Sequence, residues 1–190
     1  MAQPAAPSIT PLYSEEAIAK RVDELAAEIA ALELADPIIV AVLKGSFIFA
    51  ADLIRALQRK GLAPEIDFIF LASYGAGTAS SGQVKVLRDV ESELEGRDVV
   101  IVDDILDSGR TLAFAKEMFA ARGSRSVRTC VLLDKKERRE VSIEADFVGF
   151  DIPNKFVVGY GLDFAERYRN LPCIGVLKPE RQNAAIWASG

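Results

Sequence analysis

Three aspartates crowd one short stretch: Asp103, Asp104 and Asp107, within DDILDSGRT at 103–111. Carboxylates held this close repel one another unless a metal ion, a hydroxyl or a cation faces them. Directly after them come Ser108, Gly109, Arg110 and Thr111. Small hydroxyls, a glycine that lets backbone approach closely and the first free amides of a helix make a cradle for an anion. Carboxylates beside such a cradle suit a ligand with both sugar hydroxyls and a phosphate. The plainer alternative is an acidic strand end followed by an ordinary helix cap. It leaves the crowding of three like charges unexplained. A second turn, Lys44-Gly45-Ser46, has the same setting between an apolar run and a helix and is a weaker anion-binding candidate. The nucleotide-binding patterns GxxxxGK[ST] and GxGxxG are both absent.

What is missing narrows the chemistry further. The chain has no histidine, so no Ser-His-Asp or Cys-His nucleophile and no imidazole-held zinc can be built. Acid–base work falls to Asp, Glu, Lys, Tyr or Cys, and any metal is expected to be a hard ion held by carboxylates. The net charge of -5 argues against a general nucleic-acid binder. It leaves room for a small anionic substrate. Cys130 and Cys173, each in an apolar run, are expected to be buried free thiols with no catalytic part. The start lacks the basic region and long apolar run of a secretion signal. No apolar run is long enough to cross a bilayer, so a cytoplasmic setting is expected.

The elements that must position these residues are legible from periodicity. With 190 residues, half of them hydrophobic, the chain fits one domain of ordinary size. Residues 1–11, rich in Ala and Pro, are expected to be loose. Residues 13–34 repeat Ile18, Val22, Leu25, Ile29 and Leu32 at helical spacing, with Ser14 as cap. The apolar run 38–43 reads as a buried strand, followed by a helix to about Arg59 that Gly61 ends. Residues 65–72 read as another strand, and the small, glycine-rich 73–82 as a loop. A short strand is expected at 83–88. DVVIV at 98–102 is the best central-strand candidate, since its β-branched centre suits a sheet covered on both faces. With the helix that follows to about Arg122 and a strand at 127–133 it forms a right-handed βαβ unit. Open α/β sheets bind ligands at the carboxyl ends of their strands, which is where 103–111 falls. KKERRE at 135–140 reads mostly as a solvated charge run. Short strands near 146–150, 156–160 and 173–177 suggest a small lobe or lid over the main sheet. FVVGYGLDFAERYR at 156–169 is equally compatible with a functional loop and with a packed edge strand and charged helix.

Taken together, these segments resemble the hypoxanthine-guanine phosphoribosyltransferase family. The likeness runs from VLKGSFIFAADL at 42–53 through SYG at 73–75, VVIVDDILDSGRTL at 99–112 and LLDKK at 132–136. It continues in DFVGFDIPNKFVVGYGLD at 146–163 and ERYRNLP at 166–172. The resemblance implies a type I phosphoribosyltransferase fold: a central, mostly parallel sheet flanked by helices, a flexible loop and a small hood lobe. It implies one domain over 1–190, with a base-binding hood mainly from about 145–190. The substrates implied are 5-phospho-α-D-ribose 1-diphosphate and a 6-oxopurine, and the cofactor is Mg2+. In that pattern Asp103 and Asp104 lie near the ribose hydroxyls and the metal. Asp103 is a mild departure, since Glu is frequent there. Asp107 matches the acidic residue near purine N7, and Ser108, Gly109, Arg110 and Thr111 the 5′-phosphate loop. Lys44 and Gly45 match the turn at diphosphate, where the bond from Leu43 can be cis, and Arg169 also reaches diphosphate. Ser73 and Tyr74 match the closing loop. Lys135 matches the donor to the 6-oxo group, Phe156 the ring stacked on the base and Val157 its backbone contacts. Asp163 matches a residue that positions a second metal ion, partly through water. A homodimer or homotetramer is implied. Rival readings are a preference for xanthine or another base, and an RNA-binding regulator on the same fold, which the net acidity disfavours.

Overall fold

The computed structural model describes residues 8–73 and 84–178. Its main sheet has six strands in the order β4-β3-β2-β5-β6-β7. These are β2 (Ile38–Leu43), β3 (Glu65–Ser73), β4 (Val84–Arg88), β5 (Asp98–Leu106), β6 (Ser126–Asp134) and β7 (Phe147–Asp151). All neighbours are parallel except β4, which runs antiparallel to β3 at the edge. Helices α1 (Glu15–Ala30) and α2 (Phe47–Arg59) cover one face, α3 (Arg110–Ala121) the other. Both faces are therefore buried, and Val99, Val100, Ile101 and Val102 feed the two cores alternately. Crossovers from β2 and from β5 leave in opposite directions, so the sheet changes winding between these two strands. Ligand crevices form at such a point.

β5 does not end at Val102. It runs on to Leu106 because Ile105 and Leu106 pair with Leu133 and Asp134 of β6. Its ladder with β2 covers only 99–102 against 38–41. Beyond that the two strands part, and the acidic residues lie beside the gap. At the other end of β5, Asp98 is buried and accepts from the Ala35 amide at 2.6 Å, from Ser126 at 2.7 Å and from Arg125. The Arg125 guanidinium holds its carboxyl down at about 2.

A second sheet of three antiparallel strands, ordered β1-β9-β8, contains β1 (Ile9–Tyr13), β8 (Val157–Val158) and β9 (Ile174–Leu177). Three expectations are corrected here. Residues 9–11, read as loose, form β1, because Ile9 to Pro11 pair with Gly175 to Leu177. Helix α1 starts at Glu15, with the Ser14 hydroxyl accepting from Ala17 at 3.2 Å, and ends at Ala30 rather than near Leu34. Cys173 is only half-buried, whereas Cys130 is fully buried, which pushes its thiol up. Among the described residues, no helix is long and apolar enough to cross a membrane.

Candidate active site

The turn after β2 meets Asp104 of β5 on one side and the hood segment 159–171 on the other, and the end of β6 adjoins β5. On the β2 side the Leu43–Lys44 peptide is cis, as the resemblance implied. The buried Ser46 hydroxyl donates to the Val42 carbonyl at 2.5 Å and closes the turn. Gly45 has the Asp104 carboxylate directly against its Cα, so any Cβ would fall inside that carboxylate. On its other side Gly161 approaches so closely that a Cβ there would run into the Gly45 carbonyl. At a φ of 101° Gly161 adopts a conformation that side chains disfavour in any case. Glycines at 45 and 161 thus bring the turn, Asp104 and the hood together.

Asp103 is 8% exposed, and the Asp104 amide donates to its carboxylate at 2.9 Å. Burial, then the neighbouring Asp104 charge, drives the Asp103 carboxyl well above the ordinary range. Burial also raises Asp104, against the pull of hydrogen bonds and of the Arg169 guanidinium. A cation or hydroxyls placed beside this pair would relieve the cost of ionising both. Asp163 does not join them. It accepts from the Glu166 amide at 2.8 Å and pairs with Arg169 at 2.8 Å. Asp103, Asp104 and Asp163 therefore form no single ligand cluster; among the described residues no three acidic or thiol groups are gathered around an ion-sized gap.

The phosphate-loop candidate 108–111 spans the start of α3. Gly109 caps α3 in the left-handed conformation at φ 85°, and the Arg110 amide donates to the Ser108 hydroxyl at 3.4 Å. A Cβ on Gly109 would lie 2.6 Å from Ile143. Thr111 is in the first turn of α3. The Arg110 guanidinium pairs with Glu140 at 2.6 Å.

The charge run after β6 is not simply solvated. The amides of Glu140 and Val141 donate to the Ser108 carbonyl at 3.0 and 3.3 Å. Arg138 reaches the Asp107 carboxylate at 3.2 Å. Arg139 has a side chain only 15% exposed; it pairs with the buried Asp134 and donates to the Asp107 carbonyl at 2.7 Å. Lys136, paired with Asp151 at 2.9 Å, and the exposed Glu137 behave as surface charges. Lys135 is buried at 7% exposure, and its amide donates to the Leu106 carbonyl at 3.0 Å. Burial lowers its ammonium, with Asp107 opposing. Among the described residues it has no ion-pair partner.

The hood completes the crevice. Phe156 is 42% exposed and meets Phe164 edge-on at 5.7 Å between ring centroids. Val157 is buried at the start of β8. Arg169 donates to the Gly161 carbonyl at 2.8 Å and to Glu166 at 3.2 Å. Glu166 also accepts from Lys44 at 3.3 Å. Of the loop candidates, Ser73 closes β3, and Tyr74 lies outside the described residues. Sequence reading missed Arg139, Gly161 and Glu166. A small residue between Tyr160 and Leu162 was the one visible signal; the two charged residues looked like their solvated neighbours.

A doubly wound sheet with paired carboxylates and a glycine-started helix at its switch point is an arrangement suited to a phosphorylated, hydroxyl-bearing ligand. The family model for the phosphoribosyl transferase domain matches residues 8–165. A hypoxanthine-guanine phosphoribosyltransferase of Bacillus subtilis is 51% identical over 170 residues, covering 88% of this chain and 92% of the relative. The bifunctional protein TilS/HprT of Listeria innocua is also 51% identical, but the chain spans only 26% of its length. Among solved structures, the hypoxanthine phosphoribosyltransferase of Trypanosoma cruzi in complex with the product IMP superposes with a TM-score of 0.85 at 41% identity, covering 95% of this chain and 100% of that one. The chain belongs to the hypoxanthine-guanine phosphoribosyltransferase family.

Proposed function

We propose that the chain transfers the 5-phosphoribosyl group of 5-phospho-α-D-ribose 1-diphosphate to hypoxanthine or guanine, giving IMP or GMP and diphosphate. The observation that favours this reading is the pairing of the anion cradle at 107–111 with a buried cation, Lys135, at the end of the adjoining strand. A buried ammonium donates to an oxo group and is mismatched to the amino group of adenine. One bond is exchanged: the anomeric C–O bond to diphosphate breaks as the C–N bond to the purine forms. The displaced electron pair stays on diphosphate. Lys44 and Arg169 balance that charge at the leaving group. Ser108, Gly109, Arg110 and Thr111 hold the 5′-phosphate. Asp104, against Gly45, keeps the ribose hydroxyls in register, with Asp103 behind it. Asp107 takes the proton that the purine nitrogen loses. Phe156 and Val157 flank the base. The closing role of Ser73 and Tyr74 rests on family likeness.

Mg2+ belongs to the same proposal. Asp103 and Asp104 suit a hard ion, but the dispersed carboxylates leave most coordination sites to the donor's own oxygens, as is usual for this cation. When bound it would neutralise diphosphate. A role for Asp163 toward such an ion, through water, rests on family likeness. The proposal covers one domain, with the segment from about 145 as main source of the base-binding hood. It includes a homodimer or homotetramer, supported by Phe47, Phe68 and Leu87, large apolar side chains left exposed. A cytoplasmic setting is compatible with two unpaired cysteines.

The test is a steady-state comparison of hypoxanthine, guanine, xanthine and adenine with a fixed donor. The 6-oxopurines hypoxanthine and guanine are expected to be used at least a hundredfold better than adenine. Preferential use of adenine would reject the assignment of Lys135, and preference for xanthine would move the protein to the rival base class.

A further inference from the structure

Glu166 occupies an unusual position for a residue that the reaction does not use. Its two carboxylate oxygens are divided between two cations: Oε1 accepts from Lys44 Nζ at 3.3 Å and Oε2 from Arg169 at 3.2 Å. These are the two cations assigned above to the diphosphate. Each comes from a different part of the fold, Lys44 from the turn after β2 and Arg169 from the hood. A bridging carboxylate places two oxygens between two cations much as one phosphate group would. The hydrogen bond from Arg169, then that from Lys44, lowers its carboxyl below the ordinary range.

The backbone suits a residue that can give way. Ala165, Glu166 and Tyr168 have φ values of 51°, 61° and 73°, in a region costly for residues other than glycine. The Glu166 side chain is 67% exposed, so it can leave for water without losing a packed environment. Asp163 anchors the segment separately, by accepting from the Glu166 amide and holding Arg169. Arg169 would keep its bonds to Asp163 and to the Gly161 carbonyl after Glu166 left.

We propose that Glu166 is a built-in stand-in for the diphosphate, pairing with Lys44 and Arg169 and competing with diphosphate for them. The inference rests on the assignment of these two cations to the leaving group. Competition has two consequences. Each binding event must displace a carboxylate, which weakens diphosphate affinity. Departure of the product is assisted, because the carboxylate returns to the cations as diphosphate leaves. The carboxylate also keeps two like charges from repelling each other across the crevice when no anion is present.

The experiment measures diphosphate binding by calorimetry at fixed excess magnesium, on the intact protein, in the parent, Glu166→Gln, Lys44→Ala and the double variant. Glu166→Gln keeps the size and one of the two acceptors but removes the charge. It should tighten diphosphate about fivefold, an effect of the size an exposed charge exerts. IMP, which does not meet these cations, serves as the control and should bind unchanged. The gain should shrink when Lys44 is already Ala. Unchanged or weaker diphosphate binding in Glu166→Gln, with Lys44→Ala weakening it, would overturn the stand-in while leaving the cation assignment intact. Undiminished binding in Lys44→Ala would overturn both.

Discussion

At the scale of single residues, Lys135 and Lys136 are neighbours with opposite fates. The first is buried with no ion-pair partner among the described residues, the second is exposed and tied to Asp151. If Lys135 is the proposed donor to the base, replacing it by Ala removes a charge-assisted hydrogen bond of about 1.5–3 kcal/mol. The expected loss in kcat/KM for hypoxanthine or guanine is about ten- to one-hundredfold at about 1.4 kcal/mol per decade. Lys136→Ala should do much less, and donor affinity should change little in either. The buried ammonium titrates lower than an ordinary lysine, so base affinity should fall as pH rises through that lowered value and return on acidification. Varying base and donor separately in both variants checks this; equal small effects would remove Lys135 from base recognition. The residues that form the cradle were readable because they are contiguous. Arg139 and Glu166 were not, because their partners at Asp107, Asp134, Lys44 and Arg169 are supplied by folding.

Among elements, the segment after β6 was read only in part: Lys136, Glu137, Arg138 and Glu140 are exposed, whereas Lys135 and Arg139 are not. A run of alternating charge has no hydrophobic period, so composition alone places it in water. In the fold it is a strap across the phosphate loop, fastened at the Ser108 and Asp107 carbonyls and at Asp134. Arg139→Ala would leave Asp134 buried without its partner, a loss of about 3–5 kcal/mol in unfolding free energy. Denaturant unfolding should show it. Both donor KM and base KM should rise, since the strap holds the Ser108 carbonyl of the cradle and is tied through Arg139 to Asp107 and to Asp134, the neighbour of Lys135. Arg139→Lys should restore part of the stability and little of the two-point geometry. β1 was missed for a related reason: its pairing partner is more than 160 residues away, and Pro11 reads locally as a breaker. The central strands, by contrast, were legible because apolar runs buried on both faces need no distant information.

For the whole molecule, the winding change between β2 and β5 decides where chemistry can occur. The sequence displayed both halves of that crevice, each as strand, turn and helix. It did not display their meeting, which depends on glycines at 45 and 161 allowing backbone contact. A site with dispersed carboxylates should hold its metal weakly until the donor arrives. Exhaustive chelation is therefore expected to abolish turnover, and excess magnesium to restore it, whereas Tm without substrates should move by less than a few degrees. Full turnover after chelation would reject the metal requirement, and collapse of the fold would show a structural ion instead.

The antiparallel pairing of β1 with β9 also has a topological consequence. The Lys178 amide donates to the Ser8 carbonyl at 3.1 Å, so the two ends of the described chain lie side by side. Bridged by a short turn, the two strands would become an ordinary hairpin, and the polypeptide a closed ring that could be opened elsewhere. The turn at Gly123, on the surface between α3 and β6, lies at the opposite end of the sheet from the crevice. A circular permutant that starts at Ser124, ends at Gly123 and joins 178 to 8 through about four residues should keep the hood, the cradle and measurable transferase activity. Its failure to fold, beside a linear control lacking the same end residues that does fold, would show that the chain does not tolerate a break at 123–124 or a direct link from β9 to β1.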